Sequence, residues 1–348
     1  SSPASLFRLM PYIRDFAFGQ ATPMTSCDAG PATVRNAMAR PLTRKIAGLN
    51  WSHYFPEECV RSALAYEARP DDVFIVTYPK CGTTWVQYLV YNIYSGGVPP
   101  RDYEQFADNT PFLEMLGSAR CIERTRPGAI KTHLPFTMQP YHPQARYLYI
   151  TRNPFDCCVS YYYHTKHMPA YCFGNGTFDD FFELFVEGEL EFGDYFDHLL
   201  SWYPHRADPN VLFLTYEEIK RDTAAAVTKI AAFLGEEYKE RLSREPELVD
   251  RILEVAALHN MKKIFDFTAK DENNAAVAEA PVPTEAKDPS VEELVDAPMT
   301  GEFVRKGTVG DWKAHMSPAQ VQRLLERIRV KTAGSDVMDL WKNIDIPR

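Results

Sequence analysis

Val73-Phe74-Ile75-Val76-Thr77-Tyr78-Pro79-Lys80-Cys81-Gly82-Thr83-Thr84-Trp85 is the stretch on which the fold turns. Val73 to Tyr78 is a near-continuous apolar run, the pattern of a strand buried on both faces. Pro79 to Thr83 breaks it. Trp85, Val86, Leu89, Val90 and Ile93 then recur at helical spacing. A strand–loop–helix junction of this kind turns unpaired amides and the positive end of a helix dipole toward an anion. Gly82 lets the backbone approach it, Lys80 adds a full charge, and Thr83 and Thr84 add hydroxyl donors. The plain alternative is a capped helix beside a solvated lysine. Lys80 precedes Gly82, so the loop is not the GxxxxGK[ST] triphosphate cradle. No strand end clearly offers an acid to magnesium, and no metal is expected. A lysine cradle without metal suits a nucleotide whose reacting group carries less charge than a triphosphate.

Two further strands stand out. Arg146 to Thr151 ends at Arg152-Asn153-Pro154, and Pro154 suits the first turn of a helix. Val211 to Tyr216 is followed by Glu217-Glu218, then by an amphipathic helix through Ala224, Val227, Ile230, Ala231 and Leu234, stopped at Gly235. Strands alternating with helices predict an α/β fold: a central, mostly parallel sheet flanked by helices, with a P-loop-like strand–loop–helix holding the ligand. Ligands in such sheets sit beyond the carboxyl ends of the strands. One domain over 49–348 is expected, after a mildly basic N-terminal extension, 1–48. Residues 271–298, rich in Ala, Pro and acid, read as a mobile loop.

The 348 residues are 45% hydrophobic and 24% charged, which excludes a disordered chain, a collagen repeat and a disulfide-dense miniprotein. A net charge of −9 argues against a nucleic-acid partner held by bulk positive charge. No run approaches the roughly 18 apolar residues of a membrane span, so no membrane partner is expected. Seven cysteines at irregular spacing, with no CxxC pair, point to a reducing, cytoplasmic setting.

Three more segments follow the loop: Lys131-Thr132-His133-Leu134-Pro135; Arg152-Asn153-Pro154 with Ser160; and Arg305-Lys306-Gly307-Thr308-Val309-Gly310-Asp311-Trp312-Lys313. In this order and at about this spacing, over roughly 49–345, the chain resembles the cytosolic sulfotransferases. The resemblance implies transfer of a sulfuryl group from 3′-phosphoadenosine 5′-phosphosulfate (PAPS) to a hydroxyl or amine of a small acceptor: a phenol, an aromatic amine or a hydroxysteroid. It implies that Lys80, Gly82, Thr83 and Thr84 hold the 5′-phosphosulfate and that Trp85 and Tyr216 contact the adenine. Arg152, Ser160, Arg305, Lys306 and Gly307 would take the 3′-phosphate, and planar arginine forks suit phosphate oxygens. His133 would be the general base, with Lys80 and Lys131 offsetting charge in a direct in-line transfer.

Several positions depart from the family pattern. Cys81 stands where the cradle usually has Ser, and its place at a helix start beside Lys80 suggests a reactive thiol. Phe155 replaces a frequent Lys. Ala256, Ala257 and Leu258 replace residues usual beside the adenine, which implies a one-sided clamp. Met168 lies near where some amine-preferring relatives place an acid. Lys313, Ser317, Pro318 and Gln322 alter the family's dimer segment, which leaves a homodimer open. Two rivals remain on sequence alone: a non-catalytic PAPS or 3′,5′-ADP binding protein, and a nucleotide-dependent phosphotransferase.

Overall fold

The computed structural model describes residues 38–268 and 290–348. A small antiparallel hairpin comes first, β1 (Arg44–Ile46) and β2 (Leu49–Trp51). Then follow α1 (Glu57–Leu64), β3 (Val73–Thr77), α2 (Thr83–Ser95), α3 (Tyr103–Asn109), α4 (Leu113–Glu123) and β4 (Ile130–Thr132). β5 (Arg146–Thr151) leads into α5 (Pro154–His167), α6 (Phe178–Glu187) and α7 (Tyr195–Trp202). β6 (Val211–Thr215) is followed by α8 (Tyr216–Arg221), α9 (Thr223–Leu234), α10 (Glu236–Arg244), α11 (Glu247–Val255) and α12 (Leu258–Ile264). The C-terminal part adds α13 (Val291–Asp296) and α14 (Pro318–Lys331).

The main sheet has the order β4–β3–β5–β6, and every neighbouring pair is parallel. Parallel strands need crossover connections, which cover the sheet with helices. All five residues of β3 are accordingly buried. Each strand finishes on a threonine, Thr77, Thr132, Thr151 and Thr215, and the residue or loop after each enters the same edge. Thr215 opens α8 as a capping box with Glu218, an arrangement that satisfies amide donors at a helix start.

The opposite end of β3 is pinned by a buried ion pair. Arg124 lies 2.8 Å from Asp72, and neither side chain is exposed to solvent. Tyr66 Oη and the Arg69 amide also donate to the Asp72 carboxylate, each at 2.8 Å. Arg124 spends its remaining donors on the carbonyls of Cys121 and Gly128. The cluster fastens the segments after α1 and α4 to the start of the central strand.

Three features differ from the sequence reading. β4 has only three residues, too short to announce itself by periodicity. β1 begins at Arg44, inside the segment read as an extension. Val291–Asp296 form a helix, within the segment read as a mobile loop, because Ser290 and Glu293 make a capping box; 269–289 lie outside the described residues, as do 1–37. Among the described residues no helix is long and apolar enough to cross a membrane.

Removing one partner of a buried ion pair strands the other. Asp72→Ala is therefore expected to cost about 3–5 kcal/mol in urea unfolding. A cost below about 1 kcal/mol, the range of exposed pairs, would show that the pair does not anchor β3.

Candidate active site

A cavity of about 710 Å³ opens at the carboxyl edge of the sheet. Each of the residues singled out from the sequence lines it: Lys80, Gly82, Thr83, Thr84 and Trp85 from the β3–α2 junction; Lys131 and His133 around the end of β4; Arg152 and Ser160 from β5–α5; Tyr216 at the start of α8; and Arg305, Lys306 and Gly307 from the C-terminal loop.

The loop after β3 folds back through two left-handed residues, Lys80 (φ 66°) and Gly82 (φ 101°). A Cβ on Gly82 would lie 2.8 Å from Cδ2 of Tyr216, so both the backbone angle and the neighbouring ring demand glycine. No side chain caps the start of α2, which leaves its first amides to whatever occupies the cavity. Trp85 packs edge-on against Tyr216, with ring centroids 5.5 Å apart.

Cations crowd the inner wall. Lys80 Nζ lies 4.7 Å from the centre of the Phe303 ring and Lys131 Nζ 3.7 Å from that of Phe112. Burial, then the charges of Lys131, Arg152 and Arg305, pull the Lys80 ammonium down to about 7. Burial brings Lys131 down to about 8, against the opposing pull of Glu114 and Glu191. The Arg152 guanidinium lies over the Tyr216 ring at 4.5 Å and donates to the carbonyls of Thr308 (2.9 Å) and Lys80 (3.5 Å). Its Nε is buried without a partner among the described residues. Arg305 and Lys306 each pair with Asp311 at 2.7 Å. The loop that carries them is tied to α5 by the Asp156 carboxylate, which accepts from the amides of Gly310 (2.8 Å) and Trp312 (3.1 Å).

His133 is held on three sides. Its Nδ1 lies 2.8 Å from the carbonyl oxygen of Thr77 and 3.0 Å from the Thr77 hydroxyl. A carbonyl can only accept, so the ring hydrogen is on Nδ1 and Nε2 keeps its lone pair. The same hydroxyl is 2.7 Å from that of Thr83. The His133 amide donates to Glu114 Oε1 (2.7 Å), which also accepts from Thr132 Oγ1 (2.9 Å). The His133 carbonyl accepts from His198 Nε2 at 3.1 Å, and Tyr149 Oη donates to the other His198 nitrogen. Burial, then the charge of Lys131, holds the His133 imidazole well below its ordinary range, so it is neutral. Burial raises the Glu114 carboxyl to about 7 despite its hydrogen bonds, and its Oε2 has no partner.

The thiol expectation is corrected. Cys81 is fully buried and its Sγ packs 3.8 Å from that of Cys157, because the left-handed turns at Lys80 and Gly82 aim it into the core. Phe155 packs at a tilt against Trp312 with centroids 5.2 Å apart. Leu258 is a neighbour of Gly307: a Cβ there would lie 3.2 Å from its Cδ1. Met168 lines the cavity, and the buried acid of that region is Glu191, which accepts from the Ser52 amide and Tyr171 Oη. Glu114 and Glu191 belong to no motif in the sequence; His164 falls within Tyr161–His167, a stretch from which an acceptor pocket is expected to draw.

The residues 70–336 match the family model of the sulfotransferase domain. Sulfotransferase 1C2 of Oryctolagus cuniculus is 32% identical over 283 residues, spanning 78% of this chain and 87% of the relative. The amine sulfotransferase of the same species is 34% identical over 263 residues, spanning 74% and 79%. Among solved structures, mouse sulfotransferase SULT7A1 complexed with PAP aligns with a TM-score of 0.61 at 28% identity, over 86% of this chain and 98% of that one. Retinol dehydratase, in complex with androsterone and inactive cofactor PAP, shares the fold at a TM-score of 0.63 and 21% identity, over 83% and 88%.

Glu114 offers a test of the geometry. Its carboxyl titrates near 7 when folded and near the ordinary 4.5 when unfolded, so the folded state binds more protons between those values and this group's contribution to stability falls as pH rises through the window. Glu114→Gln keeps an acceptor oxygen and does not titrate. The variant should gain on the wild type in unfolding free energy from pH 4.5 to 7 and hold that gain above. Parallel pH profiles would contradict the burial of this carboxylate behind His133.

Proposed function

The chain belongs to the sulfotransferase family, and we propose that it moves a sulfuryl group from PAPS to a hydroxyl or amine of a small acceptor, in one in-line step with His133 as the general base. The observation that carries this is the bond from His133 Nδ1 to the Thr77 carbonyl, which leaves a neutral, basic Nε2 beside a buried cluster of cations.

The donor set fits a nucleotide with two separate anionic groups. Lys80, Gly82, Thr83 and Thr84 hold the 5′ end, Trp85 and Tyr216 flank the base, and Arg152, Ser160, Arg305, Lys306 and Gly307 hold the 3′-phosphate. The unpartnered Nε of Arg152, and the burial and mutual repulsion that together lower Lys80, support an anionic ligand. Asp311 neutralises Arg305 and Lys306 until a phosphate competes for them. Bound PAPS supplies the sulfuryl group and departs as 3′,5′-ADP.

The chain's own residues do the rest. His133 Nε2 takes the acceptor's proton, a role worth typically about 10²–10⁴ in rate. As the ring gains charge, the Nδ1–H bond to the Thr77 carbonyl strengthens, which stabilises the imidazolium. Lys80 and Lys131 stand where negative charge collects. Aromatic walls, among them Phe112 and Phe192 edge-on to His133 at 5.0 and 5.1 Å, suit a phenol, an aromatic amine or a hydroxysteroid. The described cysteines are all unbridged, and the close pair Cys81 and Cys157 supports a reducing, cytoplasmic setting.

Two measurements test these roles. Lys80→Ala should weaken 3′,5′-ADP binding and turnover together, whereas His133→Ala should lose about 10²–10⁴ in turnover with nucleotide binding kept; equal loss of nucleotide affinity in both variants would contradict the assignment. Lys80, titrating near 7 when the site holds no anion, is mostly neutral at pH 8, and a bound phosphate raises its affinity for a proton. Calorimetry of 3′,5′-ADP binding at pH 8, in buffers of different ionisation heat, should show net proton uptake that Lys80→Ala reduces. Heats independent of buffer would contradict it.

A further inference from the structure

We propose that His164 orients the acceptor by hydrogen-bonding a second hydroxyl close to the one that reacts, which makes the site selective for dihydroxy-aromatic acceptors over simple phenols. The inference rests on the function proposed above and specifies its acceptor.

His164 follows Ser160 by four residues on α5, so the two side chains sit one turn apart on one face. Both line the cavity. The His164 ring is set among Tyr161, Tyr171 and Phe303, with centroids 6.4, 6.2 and 5.9 Å away. Its Nδ1 is buried in that wall with no hydrogen-bond partner among the described residues. Leaving a buried polar atom unpaired costs free energy that a phenylalanine or leucine in the same wall would avoid. His133 and His198, the other buried histidines of the region, have their polar atoms engaged by protein groups. A ligand that reaches this ring from the cavity therefore meets a nitrogen to which no described protein group is bonded.

The surroundings define the ligand group. Burial holds His164 far below its ordinary range, and the next causes are the charges of Lys80, Lys131 and His133. The ring is therefore a neutral donor–acceptor, suited to a hydroxyl rather than to a charged group. The Phe303 ring beside His164 also carries the Lys80 ammonium, 4.7 Å from its centre, and Lys80 is one of the two cations assigned to the reacting group. A hydroxyl met by His164 therefore lies on the acceptor's reacting end, as in a ring bearing neighbouring hydroxyls. A site built to pair a substrate hydroxyl discriminates against the analogue that lacks it, because the site's own polar group is then left unpaired.

The test compares catechol with 2-methylphenol, which replaces the second hydroxyl by a methyl group of similar size. For the wild type, kcat/KM should favour catechol by about tenfold or more. In His164→Phe and His164→Leu, whichever of them still binds 3′,5′-ADP, the ratio should fall toward one through loss on catechol. A wild-type ratio near one, or a ratio that survives in the variants, overturns the role of His164 while leaving sulfuryl transfer to phenols intact. Absence of sulfonation of any phenol by a wild type that binds 3′,5′-ADP overturns the acceptor reading beneath it as well.

Discussion

At the end of β3, Thr77 meets two neighbours at once. Its carbonyl receives the Nδ1 hydrogen of His133, and its hydroxyl touches both that nitrogen and the hydroxyl of Thr83 at the start of α2. The proposed base and the loop that would cradle the nucleotide are thereby fixed to one residue of an inner strand. β3 can serve this purpose because it is held at both ends: Asp72 and Arg124 lock its start, and β4 and β5 flank it along its length. The tautomer of His133, and hence which nitrogen is basic, follows from a backbone carbonyl that cannot change its chemistry. Substituting the threonine side chain would disturb the spacing; the direction of the proton would remain.

The second constraint is electrostatic. Lys80, Lys131, Arg152 and Arg305 converge on one cavity, and the described acids nearby, Glu114, Glu191 and Asp311, do not neutralise each of them equally. Among the described residues no carboxylate pairs with Lys80, which rests over an aromatic ring instead. Such an arrangement costs stability without an anion and favours binding one, the trade-off expected where a site is organised for a charged ligand. The C-terminal loop is placed by Asp156 accepting two of its amides, so a residue of α5 governs how far Arg305 and Lys306 stand from the cavity.

Much of this was legible in the sequence. The run Val73–Thr77, the breaker at Pro79 and the apolar spacing after Thr83 gave the central strand, the loop and the helix, because burial on both faces and helical period leave strong patterns. Pro154 and Gly235 marked a helix start and a helix end. β4 was not legible: three residues carry no periodicity, and it exists because β3 supplies a ready edge. The direction of Cys81 was misread because a left-handed turn on either side cannot be seen in residue types when one of them, Lys80, is not glycine. Glu114 and Glu191 were silent because they act through contacts that are distant in sequence. The family motifs found the cavity; only the packing found what positions it.

The most direct measurement is the ring protonation of His133 by nitrogen-15 NMR on histidine-labelled protein, assigned with His133→Gln. A neutral imidazole protonated at Nδ1, with Nε2 unprotonated and no imidazolium forming on titration down to pH 6, is the predicted result. A signal for the Nε2–H tautomer, or an imidazolium at neutral pH, would remove the base from the proposed mechanism and contradict the bond to Thr77 from which the account starts.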